Sequence, residues 1–529
     1  MIKRRANSDL QTSPLAQDQS AVIAFLSNPL SYSPPPSQIT RVDTHGAIIF
    51  LAGRYAYKLK RAVKLPYLDF STVEKREAVC RNELRRNKAA APQIYISAEP
   101  IVRAANGGLT IGGDGEAIDW VVVMNRFEAG CLLDDLAKEK RLERSVMTAL
   151  AQTISQYHDC SERRCSADGD SQIAAIVAQI VRSFGEHAEL IDRQRCTAIG
   201  AKLLRELDAR SCLLRSRSRA GYVRLCHGDL HLQNIVMWQG QPTLFDAIEF
   251  NDKLATIDVL YDLAFVLMDL WHRGLNGHAN LCFSTYVARA MTTAAISGLA
   301  ALPLFMALRA AVRAMVTLDR LDIAARGDAE ALVRDIDAYV SLAETFLEPS
   351  KPQLIAVGGL SGTGKSTLAA ALAPITGGPP GALHLRSDVE RKLMAGVDPL
   401  ERLAKSAYSQ EVSDHVYSRL AERAEAALSA GCSVIVDAVF NETGHRRQIE
   451  DLAERRGVRL QGLWLDAPAD VLLARVAART GDASDADAEV VRQQLAGDDA
   501  PMDWYKVDAG APPDTVTERA LEALATPDV

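Results

Sequence analysis

Four polar residues in the middle of the chain have the types and spacing that phosphoryl transfer needs. His227, Asp229 and Asn234 form the pattern H-x-D-x4-N, and Asp246 closes a short apolar strand twelve residues after Asn234. The reaction uses one carboxylate to orient and deprotonate the attacking hydroxyl, and oxygen ligands to hold Mg²⁺ against the phosphates. We therefore predict that Asp229 is the catalytic base and that Asn234 and Asp246 bind the metal. Turn capping is the alternative, which a lone HxD would favour and the combined spacing does not.

A second pattern lies near residue 360. The segment GLSGTGKST satisfies G-x4-G-K-[ST] between an apolar strand and a helix. Its glycines allow backbone N–H groups to converge on phosphate oxygens at a helix N-terminus. Lys365 is predicted to bridge the outer phosphates in binding and catalysis, and the Ser366 hydroxyl to reach Mg²⁺. A chance glycine-rich turn is the alternative, which the strand and helix on either side disfavour. The predicted nucleotide-binding residues are Gly359, Ser361, Gly362, Thr363, Gly364, Lys365, Ser366 and Thr367.

Polar residues after this loop are typical of a kinase and not of a motor ATPase. Asp388 follows a strand candidate and is predicted to activate a substrate hydroxyl, and Arg391 on the next helix is predicted to bind substrate. Asp437 ends another strand, where contact with Mg²⁺ or substrate is expected.

Two arginines precede a polar stretch, DASDAD, that is typical of a flexible lid. Arg475 and Arg479 lie one helical turn apart. Lid arginines neutralise charge on the transferring phosphoryl group, so we predict a catalytic role for Arg479 and a nucleotide contact for Arg475. A solvated helix face is the alternative.

Over roughly Arg41 to Thr345 the chain resembles the aminoglycoside phosphotransferase and choline kinase branch of the protein-kinase-like fold. The segment HGDLHLQN is similar to the catalytic loop of that family, and FDAIEF stands where protein kinases have DFG. The resemblance implies the same roles for Asp229, Asn234 and Asp246 as the residue chemistry does. The segment THGAIIFLAG departs from protein kinases because it lacks G-x-G-x-x-G. How this part covers the triphosphate therefore stays open.

The same resemblance implies a strand lysine that contacts the nucleotide phosphates and pairs with a helix glutamate. Lys58 is the predicted lysine, with Lys60 as the alternative because it shares the strand face. Glu83 is the predicted partner, with Glu77 as the alternative. Glu249 is predicted to contact substrate.

Two further residues lie beside the catalytic loop. Asp262, in the segment DVLYDLAFVLMDL, is expected to anchor the loop and not to catalyse. His231 is expected to contact substrate or to support a residue that does.

From about Lys351 to Asp528 the chain resembles the shikimate, gluconate and zeta-toxin-like group of P-loop kinases. The segments SDVERKL and DASDAD are similar to bacterial small kinases that occur fused behind phosphotransferase domains. Both resemblances imply ATP and Mg²⁺ as cofactors. Neither names an acceptor, because the second group alone phosphorylates sugars, antibiotics, nucleotides and polynucleotide ends.

At 529 residues the chain is long enough for several domains, and we expect a multidomain protein of α/β and α+β class. A flexible polar arm is predicted over 1–40, and a bilobal protein-kinase-like phosphotransferase domain over 41–345. The proline-containing segment EPSKPQ marks a linker over 346–352. A P-loop NTPase domain with a parallel sheet covered by helices is predicted over 353–529.

Charge and composition favour small-molecule substrates. The formal charge of −7 disfavours a dedicated nucleic-acid binder, although basic residues outnumber acidic ones between Arg41 and Lys88. We expect a bifunctional ATP-dependent kinase that acts on hydroxyls of small polar metabolites or antibiotics. The alternatives are a nucleic-acid end kinase that uses the P-loop site, and a regulatory ATP-binding protein with one inactive half. The oligomeric state stays open.

Cysteine spacing and hydropathy predict a cytoplasmic location with no membrane partner. The nine cysteines lack a CxxC pair, which is typical of reduced thiols. No apolar core follows the basic N-terminus, so a secretory signal is not expected. The longest apolar stretch, Ala294 to Leu308, is too short to span a bilayer and is predicted to form a buried helix pair.

Overall fold

The chain forms two compact units in a computed structural model. The described residues are 17–44, 46–65, 68–104, 107–165, 168–289, 292–321, 329–479, 481–496 and 503–525. Unit 1 comprises Met1–Leu142, Gln156–Arg164 and Val223–Asp262. Unit 2 comprises Glu143–Ser155, Cys165–Tyr222 and Leu263–Val529.

The secondary structure combines sheets with long helical runs, as the sequence predicts. The helices are α1 Ser20–Leu26, α2 Val73–Ala90, α3 Leu133–Lys138, α4 Val146–Cys160, α5 Gly169–Glu186, α6 Ala188–Ile191, α7 Arg193–Arg219, α8 Asp252–Ala255, α9 Val259–His272, α10 Asn276–Ala288, α11 Thr293–Ser297, α12 Leu302–Leu321, α13 Ala329–Phe346, α14 Lys365–Leu372, α15 Ser387–Met394, α16 Gln410–Ser429, α17 Thr443–Arg456, α18 Ala469–Ala478, α19 Ala488–Leu495 and α20 Pro513–Ala525. The strands are β1 Ile39–Asp43, β2 Ala47–Ala52, β3 Tyr55–Lys60, β4 Lys64–Leu65, β5 Leu68–Asp69, β6 Tyr95–Arg103, β7 Leu109–Ile111, β8 Glu116–Asn125, β9 Val223–Leu225, β10 Ile235–Trp238, β11 Gln241–Leu244, β12 Thr256–Asp258, β13 Leu354–Gly359, β14 Leu383–Arg386, β15 Val434–Asp437, β16 Leu460–Asp466 and β17 Tyr505–Asp508.

Unit 1 is built on a six-stranded antiparallel sheet in the order β1-β2-β3-β8-β6-β7. Alternating side chains of β2 and β3 bury Phe50 and Leu59 on one face, where Val22 and Leu26 of α1 cover them. The opposite face packs against α2. Because β3 is paired on both sides, its lysines point from a rigid central strand.

The predicted flexible arm is packed where the structure describes it. Residues 1–16 lie outside the described residues. In the described part, α1 contributes buried apolar side chains to the sheet core. The side chain of Gln19 also donates to the Lys60 carbonyl at 2.9 Å and to Asp119 at 2.7 Å. Residues from Gln19 onward are therefore part of unit 1.

Unit 2 contains a five-stranded parallel sheet in the order β14-β15-β13-β16-β17, which confirms the predicted parallel sheet. Helix α14 follows the central strand β13 through the glycine-rich loop. Parallel strands place their carboxyl ends at one edge, and ligands bind there in open α/β sheets. The ends of β13, β14 and β15 carry the predicted site residues.

Several helices that precede residue 346, α10 among them, belong to the same compact unit as this sheet. Asn280 of α10 is buried and donates to the carbonyls of Pro380 (3.1 Å) and Ala382 (2.9 Å). The Ser284 hydroxyl accepts the backbone N–H of His384 at 3.1 Å. The linker at 346–352 stays a prediction, because α10, which precedes it in the chain, packs against the P-loop sheet.

One helical stretch, Thr293–Leu321, is long and apolar enough to cross a membrane by length and composition. Its most apolar window is 72% buried inside the structure. This stretch contains α11 and α12, the predicted buried helix pair, and it packs as core helices do.

Arg423 of α16 links α10 to helix α15 of the P-loop part. Its guanidinium donates to the carbonyls of Val287 and Ala288 at the end of α10, at 2.8 and 2.7 Å. It also donates to the buried carboxylate of Glu390 on α15 at 2.9 Å. Arg419 donates to the other oxygen of Glu390 at 2.6 Å.

We predict that Arg423→Ala lowers the free energy of unfolding by about 3–5 kcal/mol, because it leaves the Glu390 carboxylate buried and incompletely paired. Arg419→Ala is the matched control, since its side chain is 35% exposed and its loss is expected to cost about 1 kcal/mol. Urea unfolding of the full chain measures both. Equal losses would show that the contact with α10 adds nothing.

Candidate active sites

The predicted catalytic loop lies between β9 and β10 of unit 1, and backbone geometry fixes its shape. Gly228 has φ +86°, and an added Cβ would lie 2.9 Å from Ile248 Cδ1, so only glycine fits beside Asp229. His227 is buried, and its Nε2 lies 2.9 Å from the Phe245 carbonyl. This contact ties the loop to the segment that leads to Asp246.

Asp262 anchors the loop, as the sequence predicts. Its fully buried carboxylate accepts the backbone N–H groups of His227 at 3.0 Å and Gly228 at 2.9 Å. His158 Nε2 lies 3.2 Å from the same carboxylate. The anchor orients the backbone that carries Asp229 and does not reach the reacting groups.

Two side chains hold the Asp229 carboxylate in place. Asn234 Nδ2 donates to the Asp229 side chain at 2.9 Å and to its backbone carbonyl at 2.8 Å. His231 Nε2 lies 3.3 Å from the same carboxylate oxygen. Since His231 Nδ1 accepts the Gln233 N–H, its Nε2 carries the proton and donates to Asp229. With its side chain 42% exposed, Asp229 is oriented and open to an incoming hydroxyl.

Both candidate lysines of β3 belong to one buried charge network. Lys58 Nζ lies 2.8 Å from Glu83 Oε1 and 2.5 Å from Asp246 Oδ1. Lys60 Nζ lies 2.5 Å from Glu83 Oε2 and also contacts the carboxylate of Glu249. The structure thus brings Lys58, Glu83 and Asp246 together. It places Glu249 with Lys60, and its predicted contact with substrate stays a prediction.

The alternative glutamate lies elsewhere. Glu77 pairs with Arg81 at 2.8 Å one helical turn away, and the Arg81 side chain is 64% exposed. This pair is a surface contact of α2, so Glu83 is the glutamate that faces the lysines.

Burial and neighbouring charges decide the ionisation of this network. Burial opposes the charge of Lys58, but Asp246 and Glu83 outweigh it and hold the pKa of Lys58 well above its usual value. Burial raises the pKa of Asp246, and the two lysines reverse that effect and lower it. Burial raises the pKa of Glu249, which Lys60 only partly offsets. Lys58 therefore remains cationic and Asp246 anionic.

These residues fit a nucleotide phosphate with its Mg²⁺. Asp246 already has a cation beside it, the Lys58 ammonium, and its side chain is 38% exposed. The negative charge of Asp229 acts to raise the pKa of Asp246, against the larger effect of the lysines. Asp246 and the amide oxygen of Asn234 are ligands of the kind that Mg²⁺ prefers.

The glycine-rich loop of unit 2 has the backbone that its motif requires. Gly359 has φ +136°, and an added Cβ would lie 2.5 Å from the Leu465 carbonyl oxygen. Gly362 has φ +90° with the Leu472 carbonyl oxygen 2.8 Å from the same position. Side chains at either glycine would displace the loop. Lys365 begins α14, and its Nζ donates to the Leu360 carbonyl at 3.0 Å.

A cavity of ≈ 820 Å³ opens above this loop. Its walls combine the phosphate-binding loop with residues after β14, after β15 and around the DASDAD segment. The predicted site residues that line it are Ser361, Gly362, Gly364, Lys365, Ser366, Thr367, Asp388, Arg391, Asp437 and Arg479. These residues lie between positions 361 and 479 of the sequence, and the fold brings them together around one cavity.

Three predicted residues do not line this cavity in the described part of the chain. Gly359 shapes the turn, and the Thr363 hydroxyl donates to the Leu360 carbonyl at 2.8 Å. Arg475 donates to the Ala509 carbonyl at 2.8 Å. Their contacts with nucleotide stay predictions.

The two carboxylates of the cavity have opposite pKa shifts. Burial raises the pKa of Asp388, which lies in the first turn of α15. Burial also acts on Asp437, but His384 and Arg386 outweigh it and lower the pKa of Asp437 to about 2. Two carboxyl groups whose pKa values are shifted in opposite directions take different roles, and the group with the higher pKa is suited to proton transfer. Asp388 is thus the better proton acceptor and Asp437 the permanent anion.

Burial likewise lowers the pKa of Lys365, although Asp437 and Asp388 oppose that effect. Arg391 is buried and donates to the Ala407 carbonyl at 2.7 Å and the Ser413 hydroxyl at 3.3 Å. The charges of Asp437 and Asp388 therefore favour the cationic form of Lys365, and the protein itself fixes Arg391.

The predicted lid, the DASDAD segment, is tied down by its own acidic residues. Asp482 pairs with Arg386 at 3.0 Å. Asp485 pairs with Lys392 at 2.9 Å and accepts the Tyr408 hydroxyl at 2.6 Å. Sequence reasoning missed these roles, and the alternating aspartates were the only signal of them.

Another residue that the sequence did not reveal lies on α19. Gln494 Oε1 accepts the backbone N–H of Ser361 at 2.9 Å. A single glutamine carries no pattern that would predict this contact with the phosphate-binding loop.

Family models match both parts of the chain. Residues 74–290 match the model of the phosphotransferase enzyme family, and residues 354–501 match a model described as an AAA domain. The chain thus combines a phosphotransferase-family part with a P-loop kinase part, and it is an ATP-dependent kinase.

Known proteins resemble the chain over different lengths. An uncharacterized protein of Mycobacterium tuberculosis is 28% identical over 484 residues, which cover 89% of this chain and 92% of that protein. The adenylyl-sulfate kinase of Myxococcus xanthus is 30% identical over 118 residues, 22% of this chain and 59% of that enzyme. A choline/ethanolamine kinase family protein from Mesorhizobium loti covers 62% of this chain and 95% of its own at 13% identity, with a TM-score of 0.37.

We predict that Asp262→Asn lowers the free energy of unfolding by about 3 kcal/mol, because an amide cannot accept both loop N–H groups and its NH₂ faces another donor. Asp252→Asn is the control, since that side chain is 48% exposed and pairs with Arg86 at 3.3 Å. Urea unfolding measures both variants. A loss for Asp262→Asn no larger than the control's would contradict the anchoring role.

Proposed function

We propose that the chain is a bifunctional phosphotransferase. In this proposal each part transfers the γ-phosphoryl group of ATP to a hydroxyl of a small polar metabolite or antibiotic. One observation carries the proposal: each part combines a lysine, an aspartate with a lowered pKa and a second aspartate suited to act on a hydroxyl.

In the phosphotransferase part, Lys58 and Asp246 supply the cationic and anionic contacts for the phosphates and their metal. The Glu83 carboxylate positions Lys58. Asp229 accepts the proton of the acceptor hydroxyl, while Asn234 and His231 fix its carboxylate in one orientation. The exposed side of Asp229 is where an acceptor can approach.

In the P-loop part, backbone N–H groups of the loop and Lys365 contact the outer phosphates. Asp388 orients the acceptor hydroxyl and takes its proton, which the raised pKa favours. Arg479 neutralises charge on the transferring group. Mg²⁺, when bound with ATP, would neutralise phosphate charge at both sites, near Ser366 and Asp437 in this part.

Structural observations favour small acceptors over nucleic acid. The cavity volume of ≈ 820 Å³ suits a small ligand with its nucleotide. Of the twelve basic residues between Arg41 and Lys88, Lys58, Lys60 and Arg76 are buried in ion pairs. These residues cannot form a face for phosphate backbones. None of the nine cysteines forms a disulfide within the described residues, which supports a cytoplasmic location.

Replacing the two aspartates of the phosphotransferase part should give different defects. Asp229→Asn is expected to lower transfer by about 10²- to 10⁴-fold and to leave MgATP affinity unchanged, because Asp229 acts on the acceptor. Asp246→Ala should weaken Mg²⁺-dependent ATP binding, because it removes a metal ligand. Calorimetry and turnover are measured in an Asp388→Asn background, with acceptors from a screen of metabolite and aminoglycoside pools. Full transfer by Asp229→Asn would remove it as the base.

Replacing Lys365 and Asp388 of the P-loop part should likewise give two different defects. Lys365→Ala should reduce both ATP affinity and turnover, because Lys365 contacts the β- and γ-phosphates. Asp388→Asn should keep ATP affinity and lower transfer by about 10²- to 10⁴-fold. These variants are measured in the Asp229→Asn background, so the other part is silent. If Asp388→Asn loses ATP binding and keeps transfer per bound ATP, Asp388 belongs to the metal site and Asp437 becomes the candidate base.

A further inference from the structure

One wall of the P-loop cavity carries a cluster of polar residues that the proposed reaction does not use. Gln410 begins α16, and Asp414 lies one turn later on the same helix. Glu442 directly precedes α17, and His445 lies in its first turn. Gln410, Glu442 and His445 line the cavity. Because Glu442 follows the strand that ends at Asp437, this wall lies beyond the carboxyl end of β15.

His445 is held in one orientation. Its ring stacks on Tyr417 with centroids 3.7 Å apart and an interplanar angle of 5°. Its Nε2 lies 2.9 Å from Asp414 Oδ1. The hydrogen bond to His445 lowers the pKa of Asp414, so this carboxylate is ionised and can only accept. Nε2 therefore carries the proton, and in the neutral ring Nδ1 presents a lone pair.

That lone pair has no partner within the described residues. His445 is only 8% exposed, and its Nδ1 is buried without a hydrogen bond from any residue that the structure describes. Glu442 Oε2 lies 3.9 Å from it. Gln410 Nε2 donates to Glu442 at 2.9 Å and to Asp414 at 3.1 Å, which keeps both carboxylates in place.

Two hydrogen-bond acceptors that face each other at this distance cannot satisfy one another. A buried acceptor without a donor costs about 1–3 kcal/mol, so the arrangement is complete only when a donor enters between them. An ammonium or hydroxyl group meets this need. A carboxylate, phosphate or sulfate does not, because it would bring a third acceptor and a like charge beside Glu442 and Asp414.

We propose that His445 and Glu442 form an acceptor-binding subsite of the P-loop part, and that they bind a hydroxyl or ammonium group of the molecule to be phosphorylated. The acceptor of this part then presents a hydroxyl or an ammonium group to this wall of the cavity, and not a carboxylate, phosphate or sulfate. This inference rests on the proposed function of the P-loop part. It differs from the named substrate of the Myxococcus relative, adenylyl sulfate, which is an anion.

The charge class of the acceptor is tested first, with the full chain in the Asp229→Asn background. A metabolite extract is separated by ion exchange into cationic, neutral and anionic fractions, and ATP consumption is measured with each. D-glucosamine, D-glucose and D-gluconate serve as defined probes of one carbon skeleton and three charges. We expect turnover with the cationic or neutral fraction. Turnover confined to anions that carry neither an ammonium nor a hydroxyl besides the one that is phosphorylated would overturn the inference and leave the proposed function standing, and no turnover with any fraction would contradict both.

The role of the two residues is tested with the extract fraction that supports turnover. His445→Phe keeps the stack on Tyr417 and removes the lone pair, so the KM for the acceptor should rise by about 10- to 100-fold. The KM for ATP should change less than about twofold, because His445 contacts no phosphate in this proposal. Glu442→Gln should weaken a cationic acceptor more than a neutral one, since it removes the charge and keeps the shape.

His415→Phe is the matched control, because His415 is an exposed histidine next to Asp414 on the same helix. Its acceptor KM should stay within about twofold of the parent value. A general loss of folding in His445→Phe would change both KM values and the melting temperature together. In that case Glu442→Gln is the deciding variant. If it leaves the preference of the enzyme for D-glucosamine over D-glucose unchanged, the proposal is overturned.

A metal ion is the other group that these atoms could bind, since Asp414, Glu442 and His445 offer ligand atoms within 4.8 Å of one another. Calorimetry with ZnCl₂ separates the two cases. Stoichiometric Zn²⁺ binding that His445→Phe removes, together with unchanged acceptor KM values, would assign a metal site and overturn the acceptor subsite.

Discussion

Glu83 is completely removed from solvent and carries a charge that water cannot stabilise, so the protein itself must pair both of its carboxylate oxygens. Lys58 pairs with one of these oxygens and Lys60 with the other. Lys58 also contacts the carboxylate of Asp246, and Lys60 contacts that of Glu249. Removing any member would leave its neighbours buried and charged. The position of Lys58, the lysine proposed to contact phosphate, is therefore fixed by the charges of the whole cluster and not by one ion pair.

The P-loop part obeys the same constraint with different residues. Glu390 lies on the helix that carries Asp388 and Arg391, and two arginines of α16 neutralise it. Lys392, which has no exposed surface, is neutralised by Asp485 of the DASDAD segment. Helix α15 is thus held from both sides by charge pairs, which also fix the position of Asp388, the proposed base, in its first turn.

The sequence predicted contacts that are local and missed those that depend on packing between distant segments. The glycine-rich loop could be predicted because its residues are contiguous in the sequence and act within a single turn. Lys58 and Lys60 share a strand face by period two, but the sequence could not show that both pair with Glu83. Helical spacing placed Arg475 with Arg479, whereas the tertiary fold directs Arg475 to the Ala509 carbonyl.

The roles of distant polar residues had no local signal. Asp485 and Lys392 are 93 positions apart, and only the folded chain brings them together. The wall that contains His445 likewise depends on how two helices begin beside one strand end.

The contact between α10 and the P-loop sheet has a consequence for solubility. Strand β14 is the last strand of its sheet, and an exposed last strand offers free N–H and C=O groups to other chains. Ser284 accepts the His384 N–H of this strand, and Asn280 donates to the Ala382 carbonyl directly before it, so α10 protects the strand from edge-to-edge aggregation.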